Sequence, residues 1–319
     1  MANSQAFTTI DEQIELLKRR HLEFNDVCTA KPLLDNYGYY NIINGYKDPY
    51  VYTKDGQEFY KDGITFEQIY SLFHLDHAIS HQIMTTLLDL EDHLKAVTAY
   101  VISEAFGSEQ KDYLRFNNYQ NRRSSAKQFT LSAILESLNK TSMSNKNPIK
   151  HHREVYGNVP PWVLFKGVYL STIINFIKLQ KPKQKEAIIR HFYSISEEQM
   201  NPYIRDIFMD TLFISLEYRN LAAHGGRIYN YVPDSTVRIT DKSKEALGDI
   251  ITNYSSIESA HSLGTLVLLY DLFKKKSYRD DLRKIIHSNV TAHCRKYPDD
   301  MEYLMKSIGI DHIAHPVHK

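Results

Sequence analysis

The chain has 319 residues, with 39 Lys and Arg against 38 Asp and Glu, for a net charge of +1. That length accommodates one large helical domain or two small ones, and the charge balance excludes a polyanion partner recruited by overall charge; a nucleic-acid contact has to come from local patches. Two cysteines, Cys28 and Cys294, are too few for a disulfide framework and fit a reducing compartment.

The first ten residues lack a basic segment followed by an apolar run, and no stretch reaches the roughly 18–20 apolar residues of a membrane span. The expectation is a cytoplasmic protein. Residues 8–22 carry Ile10, Ile14 and Leu17 at helical spacing. A second helix is expected over 31–44, ending in the tyrosine-dense run Asn36 to Tyr46. Such a run packs as an amphipathic aromatic face; base stacking is the alternative, but basic residues are not interleaved with it. Alternating β-formers flank Asp55-Gly56, which predicts a short hairpin around 50–60.

Thr65-Phe66-Glu67-Gln68 reads as a capping box opening a helix that runs to about Phe106. Its seam is Ile69, Leu72, Ile79, Ile83, Leu87, Leu90, Leu94, Val97 and Val101. Asp76 falls on that seam, where a carboxylate must be paired or hydrogen-bonded, as structural glue or as a site residue. His77 and His81 are four apart, but the Glu of the zinc-protease motif is missing and no third ligand is apparent, so no metal is expected.

Residues 107–126 interleave Arg115, Arg122 and Arg123 with Tyr113, Phe116 and Tyr119, a pattern suited to RNA contact or to a solvated connection. A helix over about 125–140 follows. The polar stretch from Ser142 to Pro161 reads as a long loop carrying a second basic patch with Lys150 and Arg153. Helices are expected over 162–180 and 183–194. The remaining third reads as helical over 243–276 and 278–297, with a His-rich frayed tail.

The segment from Ile207 to His224 is apolar on most faces, as in a central helix, and Gly225-Gly226 stops it. Asp210, Glu217, Asn220 and His224 form one polar stripe. Arg219 lies about 140° around the helix from His224, so the two converge only if the Arg side chain bends or a second copy of the helix faces the first. His224 sits near the helix C-terminus, which favours a cation. Read by spacing alone, the pair is ordinary capping and ion pairing.

Arg219-Asn220-x-x-x-His224 resembles the R-x4-6-H motif of HEPN ribonucleases. The string from Arg219 to Asn230 resembles the RN-x-x-AH-x-x-R-x-x-N signature of Abi-like abortive-infection proteins of the AbiD/AbiF type, a HEPN branch. The run ending at Tyr46, Leu75-Asp76, Glu91-x-x-x-Lys95 and Pro160-Pro161-Trp162 resemble further blocks of that family, although Ser80 and Lys95 stand where Arg is common. The resemblance covers roughly residues 30–232. It implies a HEPN-type core and leaves the C-terminal helices uncovered; the simplest architecture is all-α, with a HEPN-type bundle over 1–235 and a helical extension over 236–319 packed on the same core.

The resemblance also implies metal-independent and cofactor-free RNA cleavage by 2′-OH attack, leaving a 2′,3′-cyclic phosphate. His224 would then be the acid–base group, Arg219 the phosphate holder and Asn220 the orienting group. Arg227 and Tyr229 would line the cleft, Asp76, Glu91 and Glu217 would support it, and a homodimer would complete the site. The rivals are a non-catalytic binder of structured RNA acting with a small RNA partner, and a helical protein-interaction scaffold.

Overall fold

Local capping signals set most helix starts in the computed structural model, which describes residues 7–121, 129–234, 245–246 and 262–309. Thr9 and Glu12 form a reciprocal capping box at α1 (Ile10–Arg19). The Asp26 side chain caps α2 (Val27–Tyr37). The helix expected over 31–44 therefore starts earlier and breaks at Gly38, whose φ of +81° ends a right-handed helix, before a separate wide turn over Tyr40–Asn44. Strands β1 (Val51–Lys54) and β2 (Gln57–Tyr60) pair antiparallel, Val51 opposite Tyr60. Asp55 and Gly56 both have positive φ, the two-residue turn whose twist suits a hairpin.

Helix α3 (Phe66–Phe106) runs as anticipated, with every residue of its predicted seam buried. Its capping box is half formed. Gln68 N–H donates to Thr65 Oγ1, but the Gln68 side chain does not turn back; it reaches Asp300. Next come α4 (Gln110–Tyr113) and α5 (Leu131–Ser142), the latter capped by Thr130 and so starting later than expected.

The stretch read as one polar loop from Ser142 to Pro161 contains α6 (Ile149–Tyr156), with Ile149 buried. Its apolar residues are too few to show a helical period. The helix expected over 162–180 is two: α7 (Pro161–Leu164) and α8 (Leu170–Lys178), separated by a tight turn over Phe165–Gly167. The turn packs closely, since a Cβ on Gly167 would lie 2.6 Å from Ile149 Cδ1 and 2.9 Å from Thr141 Cγ2.

Pro182 opens α9 (Pro182–Phe192), and Asn201 caps α10 (Pro202–Ala223). The helix expected over 243–276 falls largely outside the described residues, which show α11 (Leu263–Leu269) and a short turn over Tyr270–Leu272. Helix α12 (Ser277–Lys296) stands where a helix over 278–297 is expected. Helix α13 (Met301–Ile308), which the sequence reading does not anticipate, ends at Gly309. The His-rich tail lies outside the described residues. The fold is all-α with one small hairpin, and no helix among the described residues is long and apolar enough to cross a membrane.

The chain divides into two compact units. The first takes described residues from 1–81, 227–229 and 284–319; the second takes them from 82–226 and 230–283. In the first unit Asp300 is a buried junction. Its Oδ2 accepts from Tyr50 OH at 2.7 Å and Gln68 Nε2 at 2.9 Å, and lies 2.8 Å from His293 Nε2. The other ring nitrogen of His293 lies 2.8 Å from Ser71 Oγ. Against the cost of burial, the bonds from His293, Gln68 and Tyr50 hold Asp300 below the usual carboxylate range.

Asp300→Ala orphans these donors, at about 1–3 kcal/mol each, so denaturant unfolding should show a loss of several kcal/mol. Because the folded carboxyl is the stronger acid, its contribution is present above the unfolded-state pKa and lost as the pH falls through the folded value. The wild type should therefore lose more stability on acidification than the variant; equal losses would refute the assignment.

Candidate active site

Helix α10 is held by a buried apolar face and by a satisfied polar seam. Ile204, Ile207, Phe208, Leu212, Ile214 and Tyr218 are fully buried. Thr211 Oγ1 donates to the Ile207 carbonyl and Ser215 Oγ to the Thr211 carbonyl. The same hydroxyls meet Tyr193 OH at 3.2 Å and Tyr270 OH at 2.8 Å. Every buried hydroxyl on this seam is thus bonded, as a buried polar group requires.

Two carboxylates share the opposite stripe. Glu217 Oε2 accepts from Tyr231 OH at 2.8 Å and from the Asp234 N–H at 3.1 Å, so it ties residues 231–234 to the helix. Asp210 is different: its Oδ2 is enclosed with no hydrogen-bond partner. Burial, and then the neighbouring Asp206 charge, push its pKa up to about 7.

The helix ends in a double cap. Gly225 has φ +69°, its N–H donates to the Ala222 carbonyl at 3.3 Å, and Gly226 N–H donates to the Leu221 carbonyl at 2.9 Å. A Cβ on Gly226 would lie 2.2 Å from Leu221 Cδ1, so the second glycine is required by close approach. This turn leaves His224 as the exposed C-cap residue, with Asn220 exposed one turn earlier.

Arg219 is half-buried; its Nε is enclosed without a partner and its Nη1 lies 3.4 Å from Asn220 Oδ1. Among the described residues no hydrogen bond joins Arg219 to His224 and no carboxylate pairs with the guanidinium. The structure thus brings Arg219 and Asn220 together and leaves His224 apart, in line with the angular separation on the helix.

Beyond the cap, Arg227 forms an ion pair with Asp48 at 2.8 Å. Tyr229 is fully buried, with its ring stacked on Tyr46 and its OH 2.9 Å from Tyr303 OH. Its place in the core corrects the expectation that it lines an RNA cleft. The acceptor for this segment is Asp76, 1% exposed. Its carboxylate takes the Ile228 N–H at 3.1 Å, the Tyr229 N–H at 2.7 Å and Tyr46 OH at 2.7 Å. Burial pushes Asp76 up to about 6 in spite of those bonds and the Arg227 charge. Glu91 pairs with Lys95 at 2.6 Å along α3.

The expected RNA-contact residues separate on inspection. Arg115 pairs with Asp112 at 2.5 Å, while Tyr113 and Tyr119 are core residues: Tyr113 OH donates to the Val159 carbonyl, and Tyr119 OH to the Tyr113 carbonyl. Their rings therefore offer no face to a base. Arg153 Nη1 caps the end of α5, donating to the Ser142 and Ser144 carbonyls at 2.9 and 2.8 Å, so its guanidinium is a structural clamp. Lys150 is exposed. Arg122 and Arg123 lie outside the described residues. His77 and His81 pack with ring centroids 4.3 Å apart, and among the described residues no trio of His, Cys, Asp or Glu is arranged to hold a metal ion.

The motif string, the Asp76 seam and the Pro160-Pro161-Trp162 start all lie inside one family match. The family described as "Abi-like protein" matches residues 32–230, more than half of the chain. The chain belongs to the Abi-like family. No curated protein and no solved structure matches this Abi-like chain. Sequence reasoning missed the roles of Tyr46, Asp48, His293 and Asp300; only their partners, distant in sequence, give them meaning.

A test follows from Asp210. Its folded pKa lies above the ordinary value, so its contribution to stability is complete below about pH 4 and is lost as the pH rises through about 7. Asp210→Asn should therefore gain melting temperature relative to wild type at pH 8 and gain less at pH 5. The same difference at both pH values would show that Asp210 does not carry this burden.

Proposed function

We propose that this Abi-like protein is a metal-independent endoribonuclease of the HEPN type acting in abortive infection. The observation that carries the reading is the terminus of α10, where an exposed imidazole at His224 follows a guanidinium at Arg219 that no described carboxylate neutralises. Glu217 and Tyr218, just before them, are committed to hydrogen bonds and core packing, whereas Asn220 and His224 are exposed.

The chemistry needs one group to take the proton of a ribose 2′-OH as its oxygen attacks the adjacent phosphorus, and one to protonate the departing 5′-oxygen. The P–O5′ bond breaks, and the products end in a 2′,3′-cyclic phosphate and a 5′-OH. An imidazole can serve in either protonation state. The planar fork of Arg219 suits the two non-bridging oxygens, whose charge grows in the transition state. A homodimer supplies two copies of His224, one as base and one as acid, and also answers the separation of Arg219 from His224 within one helix. Asn220, beside the guanidinium, orients it or the RNA.

Purified protein incubated with RNA in excess EDTA should give products with cyclic-phosphate ends. His224→Ala and Arg219→Ala should each lower the rate by about 100-fold or more, the scale expected for loss of an acid–base or charge-stabilising group. RNA retained by the wild type without any cleavage would favour the non-catalytic RNA-binding reading instead. Cleavage that survives His224→Ala would place the chemistry elsewhere.

A further inference from the structure

Within the second unit, α5, α6 and the start of α8 enclose an open cleft of about 670 Å³ that the α10 motif does not use. Its lining includes Lys140, Lys146 and Lys166, with no Asp or Glu. Among the described residues, Lys140 and Lys146 pair with no carboxylate, and Lys166 has only Asp92 at 4.0 Å. Uncompensated ammonium groups around a concavity repel one another, and an anion relieves that repulsion.

Two helix starts also border the cleft. Pro148 precedes α6 and Tyr169 precedes α8, and neither start is capped by a side chain. Lys150 N–H of α6 and Thr172 N–H of α8 donate to the Lys146 and Tyr169 carbonyls, and the positive ends of the two helix dipoles add potential that favours an anion. The wall between them is built rather than incidental. Gly167 brings its turn against Ile149 of α6 and Thr141 of α5, where a Cβ would force their terminal methyls to shift.

The rim carries an aromatic platform. Tyr169 is 80% exposed, an unusual setting for a large ring, and it lines the same cleft as the lysines. Thr141, Ser144 and Asn147 add neutral hydrogen-bonding groups. A cleft of this volume is in the range that holds one small molecule, which argues against a long strand lying along it. Three lysines match the charge of two or three linked phosphates, and an exposed ring suits a base.

We propose that this cleft binds a nucleoside 5′-polyphosphate through Lys140, Lys146 and Lys166, with its base on Tyr169. The chemistry is the same whether that group is a free nucleotide or the 5′ end of an RNA, and it does not depend on the ribonuclease reading.

The test uses full-length His224→Ala protein, so that no probe is cleaved, and measures equilibrium binding of four probes. These are a nucleoside triphosphate, inorganic tripolyphosphate, and an oligoribonucleotide with either a 5′-triphosphate or a 5′-hydroxyl. The triphosphate group should bind, and Lys140→Ala combined with Lys146→Ala should weaken it by about tenfold or more, as loss of charge-assisted bonds predicts. Lys166→Ala should act in the same direction. Tyr169→Ala should weaken the nucleotide but leave tripolyphosphate unchanged.

Tighter binding of the 5′-triphosphorylated oligoribonucleotide than of the free nucleotide identifies an RNA end as the source, and the reverse order a free nucleotide; either supports the site. Absence of binding by every triphosphate probe, or equal binding by parent and lysine variants, overturns it. Failure of the wild type to cleave RNA would leave all of these readings intact, so the two proposals fail separately.

Discussion

Asp76 is the acceptor on which the first unit depends. That unit is assembled from three stretches distant in sequence, and a buried carboxylate is the means of joining two of them. Asp76 projects from the apolar seam of α3 and takes the N–H groups of Ile228 and Tyr229 together with Tyr46 OH. N–H groups of irregular backbone have no ladder partner, and a carboxylate with several lone pairs can satisfy more than one of them. Asp300 does the equivalent for the third stretch, gathering Tyr50, Gln68 and His293. Both are buried carboxylates, but their electrostatics diverge: burial prevails at Asp76, whereas at Asp300 burial is outweighed by the three side-chain hydrogen bonds together.

This arrangement bears on the motif. The chain leaves α10 through a glycine pair that admits no side chain at Gly226, and within three residues it is fixed to Asp76 and Asp48. His224 thus follows a helix buried within the second unit, and residues 227–229, which come next in the chain, are anchored within the first. Asn220 and His224 are the exposed polar side chains of that terminus, while Glu217, one turn earlier, is drawn into holding residues 231–234. The division of labour along one polar stripe is between carboxylates that build and an imidazole that remains available.

Much of the fold was legible because its signals are local. The seam of α3, the Asp-Gly turn of the hairpin and the glycine stop after His224 each depend on a few neighbouring residues. The failures are equally specific. Helix α6 has too few apolar residues to declare a period, and the turn between α7 and α8 packs at Gly167 against side chains of α5 and α6. Asp76 could be recognised as anomalous on an apolar seam, but its partners, Tyr46 on one side and Ile228 and Tyr229 about 150 residues away on the other, follow no spacing rule. Basic residues were the least readable class. Arg153 is taken up by the end of α5, whereas Lys140 and Lys166, unremarkable in sequence, line a cleft. Sequence records the charge of a residue but not whether a nearby carbonyl has claimed it.

Amide hydrogen exchange at Ile228 and Tyr229, comparing wild type with Asp76→Ala, tests the Asp76 anchor directly. If the Asp76 carboxylate is the acceptor that fixes this segment, both amides are strongly protected in the wild type. In the variant they exchange orders of magnitude faster, while amides within α10 such as Leu212 and Ile214 keep their protection. Fast exchange at Ile228 and Tyr229 in the wild type, or unchanged protection after Asp76→Ala, would contradict the account.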